Sequence, residues 1–164
     1  MKHFCLATLV AAAFSISPAN SAPTSFFERL SGNWSGSGEA YVTKFGEISA
    51  NCRVSVSEAS KQIEMRGSCG TLIFRQALGL KLKNSGGNKF TGVYTGSKTG
   101  PAKLEGTLQG NRLVLNIRWG GLVNGDRTAR MILERTGPNS FSQTVVDEVS
   151  GKMRSTSSFA FKRL

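Results

Sequence analysis

Leu30-Ser31-Gly32-Asn33-Trp34-Ser35-Gly36-Ser37-Gly38 places a Gly-x-Trp at the head of a run of short, strand-like segments. Just before it, Ser25-Phe26-Phe27-Glu28 has a serine followed three residues later by a glutamate, the pattern of a helix N-terminal capping box. A single helical turn is therefore predicted ahead of Trp34. Residues 32–44 are polar, glycine-rich and extended, and a turn at Phe45-Gly46 leads into the cleanest alternation in the sequence. There Ile48, Ala50, Cys52, Val54 and Val56 point one way and Glu47, Ser49, Asn51, Arg53 and Ser55 the other, which describes a half-buried strand. The next segment repeats this, with Ile63, Met65, Gly67 and Cys69 on one face and Gln62, Glu64, Arg66 and Ser68 on the other. A loop centred between Ser60 and Lys61 sets Val56 opposite Met65, Val54 opposite Gly67 and Cys52 opposite Cys69. Directly opposed residues lie about 4.5 to 5.5 Å apart at Cα, within disulfide reach, so hydrophobic pattern and cysteine pairing select the same register.

Residues 71–83 alternate through Leu72, Phe74, Leu78, Leu80 and Leu82 only if an irregularity falls near Gln76 or Ala77, and a short helix there is an alternative. Asn84-Ser85-Gly86-Gly87-Asn88 is a turn. Phe90, Gly92 and Tyr94 then share a face, as do Ala102, Leu104, Gly106 and Leu108, and Gln109-Gly110-Asn111 turns the chain again. Leu113, Leu115, Ile117 and Trp119 alternate with Val114, Asn116 and Arg118 up to Gly120-Gly121, where that strand is predicted to end. A loop over 122–126 sets Leu122 and Val123 beside Asn124-Gly125-Asp126. Ala129, Met131 and Leu133 mark another strand, and two last ones, near 141–148 and 153–163, meet at Ser150-Gly151. About ten short strands at spacings of roughly 8 to 14 residues, with no long helix and no fixed-period repeat, make an all-β domain. Consecutive hairpins with one apolar face favour an antiparallel up-and-down barrel of about 8 to 10 strands, with a β-sandwich as the alternative.

The N-terminus follows the order of a secretory signal peptide: Lys2, an apolar run over residues 4–14, and a small-residue exit over residues 18–22. That run is too short to span a bilayer, and cleavage is predicted after Ser21. Cys5 is preceded by Lys2-His3-Phe4 rather than by the small and aliphatic residues of a lipid-modification site. The expected organisation is a signal peptide, 1–21, and one domain, 22–164, large enough for its own core. Cleavage would remove His3, the only histidine, and Lys2, leaving 20 of the 21 basic residues against all 10 acidic ones, a formal charge of +10. No second apolar run of membrane length follows, so a soluble periplasmic or secreted product is expected. In such a compartment Cys52 and Cys69, the remaining pair, read as a disulfide.

With a helical turn before it and Ser35-Gly36-Ser37-Gly38-Glu39 after it, Gly32-Asn33-Trp34 resembles the opening of the calycin group: lipocalins, fatty-acid-binding proteins and nitrobindin-like barrels. The layout is also similar to that of small exported bacterial proteins with this opening and two cysteines. The resemblance implies that Gly32-x-Trp34 opens the first strand and that Trp34 closes one end of the barrel. It further implies an arginine from a late strand stacked on Trp34, a place that Arg135 or Arg163 could fill. Nitrobindin-like barrels hold haem through a histidine, which the cleaved chain lacks, so no cofactor is carried over.

Without histidine, Ser-His-Asp and Cys-His catalysis and the usual zinc sites are not expected. Asp147 and Glu148 are adjacent, so they point to opposite faces of a strand, and the sequence reads them as a solvated hairpin end. The apolar phase turns Glu47, Glu64 and Glu105 outward and leaves Glu39 as the inward candidate, one carboxylate where glycoside hydrolysis needs two. The chain thus reads as non-enzymatic, with no metal site. Its glycines at Gly36, Gly38, Gly67, Gly92, Gly96 and Gly106 serve as strand kinks that let a sheet close, and several on the apolar face leave room for a ligand. The expected partner is a small apolar or amphipathic molecule walled by Phe90, Tyr94, Leu115, Ile117 and Trp119, with Leu122 on the lip of the mouth. The runner-up is an outer face that binds an anionic envelope polymer, a lipid headgroup or a secreted enzyme. Its charge is spread over outward positions such as Arg53, Arg66, Lys103, Arg118 and Arg130. Nucleic acid is not an expected partner in this compartment.

Overall fold

In the computed structural model, which describes residues 25–59 and 62–164, the alternating segments close on themselves. Ten strands form: β1 (Gly32–Val42), β2 (Gly46–Ala59), β3 (Gln62–Gly70), β4 (Arg75–Gly86), β5 (Lys89–Thr95), β6 (Ala102–Gln109), β7 (Arg112–Val123), β8 (Asp126–Gly137), β9 (Ser140–Val149) and β10 (Lys152–Arg163). Each runs antiparallel to the next, and β1 pairs with β10, so the sheet is a closed up-and-down barrel without a free edge. A single 3-10 turn, Glu28–Leu30, precedes β1. The capping box ahead of it is reciprocal: the Glu28 amide donates to Ser25 Oγ at 3.0 Å and the Ser25 amide to Glu28 Oε2 at 3.3 Å. The predicted signal peptide, residues 1–21, lies outside the described residues.

The β2–β3 register follows from the alternation. Val56 pairs with Met65, Val54 with Gly67 and Cys52 with Cys69, and the two cysteines form a disulfide with their Cα atoms 4.0 Å apart. Two boundaries differ from the sequence reading. β4 is a strand from Arg75 onward, with no helix, because the irregularity lies earlier, in the 71–74 turn. β7 continues through Gly120-Gly121 to Val123 with a register shift after Arg118, and only Asn124-Gly125 turns the chain. Asn124 and Gly125 have φ values of 54° and 111°, the paired positive values of a tight hairpin turn.

The lower end of the barrel, where β1 begins, is plugged by the N-terminal turn. Phe26, Phe27 and Leu30 are buried there with Trp34, whose indole Nε1 donates to the Leu30 carbonyl at 2.8 Å. Arg163 of β10, and not Arg135, lies over the Trp34 ring at 4.2 Å. Its Nη1 donates to the Ser31 carbonyl at 2.7 Å and its Nη2 to the Arg29 carbonyl at 2.6 Å, tying the closing strand to the turn. Gly32 is required at this point: its φ is 131°, and a Cβ there would sit 2.4 Å from Arg163 Nη1.

Above the plug the interior is filled by its own side chains. Leu104, Leu113, Leu115, Met131 and Leu133 are fully buried, and Phe141 stacks on Phe161 at 4.5 Å. The glycines do not open room for a ligand: Phe161 occupies the space beside Gly36, Phe159 that beside Gly38 and Leu82 that beside Gly92. Because Trp34, Gly36 and Gly38 face inward, Glu39 faces out and is exposed, contrary to the expectation of an inward carboxylate. Outside, Arg53, Arg66, Lys103, Arg118 and Arg130 are exposed as expected, the reverse of the apolar outer band that a membrane-spanning barrel needs.

Candidate functional site

The six residues predicted to line a ligand site are spread over the height of the barrel. Phe90 belongs to the lower plug, its ring 5.1 Å from that of Phe27. Leu115 and Ile117 are buried in the core. Tyr94 and Trp119 stand together near the upper end, with ring centroids 6.3 Å apart in an edge-on arrangement. Leu122 projects beyond them, 68% exposed. The structure thus brings Tyr94 and Trp119 together above Ile117, and leaves Phe90 at the opposite end.

Two features make the upper end chemically distinct. Trp119 Nε1, a donor-only group, is buried without a hydrogen-bond partner. Asp147, read from the sequence as part of a solvated hairpin end, is instead 1% exposed and faces inward from β9. Its Oδ2 accepts from Asn124 Nδ2 at 3.0 Å and its Oδ1 from the Glu148 amide at 2.8 Å. Burial raises its pKa above the ordinary carboxylate value; those two hydrogen bonds oppose the shift, and the Asp126 and Glu148 carboxylates add to it. Burial also raises the pKa of the Tyr94 phenol. Asn124 in turn accepts at Oδ1 from Thr43 Oγ1 at 3.5 Å, which links the β7–β8 turn to the β1–β2 turn above Asp147. The signal for Asp147 was present in the sequence: it shares strand parity with Phe141 and Val145, both buried.

Two clefts are found elsewhere. One, of 330 Å³, lies on the outer face of β3, β4 and β5, lined by Glu64, Lys81, Lys83, Thr91 and Val93 among others. Arg66 Nε and Lys81 Nζ, at 2.7 and 3.3 Å, hold the Glu64 carboxyl below its usual range. The other, of 210 Å³, lies at the lower end beside Phe26, Phe27 and Phe90. Neither is lined by Tyr94 or Trp119. Among the described residues no three acidic or cysteine side chains form a group suited to a metal ion.

No protein-family profile and no curated protein sequence matches the chain. Solved structures do resemble it. One is that of Rv2717c from M. tuberculosis, with a TM-score of 0.64 and 12% identity over 83% of this chain and 93% of that one. Another is that of the S-type phycobiliprotein lyase CPES from Guillardia theta, with a TM-score of 0.61 and 15% identity over 85% of this chain and 90% of that one. The likeness is one of fold alone. It agrees with the calycin resemblance at the level of the closed antiparallel barrel. It also corrects the expectation of a non-enzymatic protein, since the second neighbour is a lyase built on a similar fold. The barrel by itself therefore does not bar catalysis.

Proposed function

We propose that the protein binds a small amphipathic molecule at the upper end of the barrel, with its apolar body against Tyr94 and Trp119. The observation that carries this reading is the buried, unpartnered indole N–H of Trp119, because buried donors in native proteins are rarely left unsatisfied. A ligand carbonyl or ether oxygen would supply the missing acceptor, and the inward carboxylate of Asp147 offers an acceptor to a ligand donor at the same end. Ile117 and Leu115 form the floor, and Leu122 is the lip. Since the interior below is filled, the ligand seats in the mouth and does not thread the barrel. The disulfide, and the lack among the described residues of a helix long and apolar enough to cross a membrane, are compatible with the exported location that the N-terminal sequence suggests.

Nile red, a neutral apolar dye with a carbonyl acceptor, tests the site at high salt, where adsorption by charge is screened. Saturable binding is expected. Tyr94→Ala should weaken it, and Trp119→Phe, which keeps the ring and removes the donor, should weaken it about fivefold, the worth of one hydrogen bond near 1 kcal/mol. Absence of saturable binding, or equal affinity in folded Trp119→Phe and Tyr94→Ala, overturns the proposal.

A further inference from the structure

Eight large hydrophobic side chains are exposed among the described residues, and six of them lie at one end of the barrel: Phe45, Leu72, Ile73, Phe74, Leu122 and Met153. They come from four separate hairpin ends, β1–β2, β3–β4, β7–β8 and β9–β10, which all emerge at the upper end. Of the other two, Val93 stands on the outer wall of β5 and Leu164 ends the chain at the lower end; among the described residues the lower turns Gly87-Asn88, Gly110-Asn111 and Pro138-Asn139 carry none. Scattered single apolar residues need no explanation, but a ring of them on one end of a domain does.

These tips are held out by local structure. Thr71 shapes the β3–β4 turn: its amide donates to the Phe74 carbonyl at 2.8 Å, and its Oγ1 accepts from the Ile73 and Phe74 amides at 3.3 and 3.2 Å. Leu72 and Ile73 are consequently 104% and 99% exposed, with their side chains directed into solvent. The β1–β2 turn is closed by the Phe45 amide on the Val42 carbonyl at 2.8 Å, and Phe45 is left 76% exposed.

Each tip carries an exposed cation beside it. Lys44 adjoins Phe45, Arg75 follows Leu72-Ile73-Phe74, Arg127 follows the β7–β8 turn and Lys152 precedes Met153, while Lys98 stands in the fifth upper connection. The acids at this end are mostly engaged: Glu47 pairs with Arg154, Asp126 accepts from the Thr128 amide and Asp147 is buried, which leaves Glu148 exposed. We infer that this rim docks on an anionic lipid surface, with the apolar tips entering the headgroup boundary and the adjacent lysines and arginines at headgroup level. Separate apolar tips interleaved with cations suit a planar lipid interface. The inference stands independently of the ligand proposed for the mouth.

Flotation of the protein with vesicles of phosphatidylcholine containing about 30 mole per cent phosphatidylglycerol tests the inference. Binding is expected, weaker by about tenfold or more on phosphatidylcholine alone and reduced by salt. Leu72→Ser with Ile73→Ser should weaken it by at least about tenfold, and Lys44→Glu with Lys152→Glu should lower the salt-sensitive part. All four side chains are exposed, so the melting temperature should not move. Lys81→Glu with Lys103→Glu, on the outer wall, should leave binding unchanged, as should Tyr94→Ala, which separates this result from Nile red binding in the mouth. Failure of the wild type to float overturns the inference. So does binding that survives the Leu72→Ser, Ile73→Ser pair, which would place the contact elsewhere on the chain, the N-terminal apolar run included. Association that depends on the tips but occurs between protein copies, without vesicles, overturns it in favour of a protein interface.

Discussion

Replacing Gly32 by alanine tests how the barrel is latched shut. At a φ of 131° a non-glycine residue costs on the order of 1 to 3 kcal/mol. The new Cβ would also lie 2.4 Å from Arg163 Nη1, so the guanidinium has to leave. It then forfeits its hydrogen bonds to the Ser31 and Arg29 carbonyls, one of them at an exposed position, together worth about 2 to 3 kcal/mol. The cation–π contact on Trp34 adds about 0.5 to 1 kcal/mol. Gly32→Ala should therefore cost about 4 to 7 kcal/mol in the wild type and only the backbone part, about 1 to 3 kcal/mol, in an Arg163→Ala background. Urea unfolding of the two single variants and the double variant, followed by tryptophan fluorescence, measures the coupling. In a thermal scan Gly32→Ala should melt on the order of 10 °C or more below the wild type. If the two single costs add to within about 0.5 kcal/mol, the guanidinium is not what Gly32 makes room for, and the latch described above is refuted.

Two further outcomes follow from the buried groups. With the bond between Cys52 and Cys69 in place, thiol titration of the denatured, unreduced protein should find neither cysteine free, and reduction should lower stability by about 3 kcal/mol for a sequence separation of 17; two titratable thiols from these positions would contradict the pairing. For Asp147 the folded-state pKa is raised, so the folded protein holds its proton more tightly than the unfolded chain does. The resulting stabilisation is present below the unfolded value, about pH 4, and is lost as pH rises through the raised value. Asp147→Asn should thus gain in stability relative to wild type as pH rises above about 4; parallel pH profiles for the two proteins would show that the carboxylate is not penalised by burial.

The strand pattern, the disulfide and the N-terminal turn were legible in the sequence because each depends on neighbours close along the chain. Alternation over residues 47–56 and 62–69 admits one register that keeps both apolar faces together, and that register opposes Cys52 to Cys69. Closure was not legible at the level of individual partners. Arg135 and Arg163 both sit near the lower ends of late strands, and only the pairing of β1 with β10, which sets Trp34 opposite Arg163, decides between them. Asp147 was misplaced because alternation fixes which residues share a face but not which face turns inward, and β9 carries valine at both Val145 and Val146. The filled interior is likewise a tertiary matter: a glycine on an apolar face leaves space in one strand, and Phe161 or Phe159 from the strand that closes the barrel takes it. The apolar rim depends on the same closure, since only the shared up-and-down topology gathers hairpin tips from residues 45, 72–74, 122 and 153 onto one end.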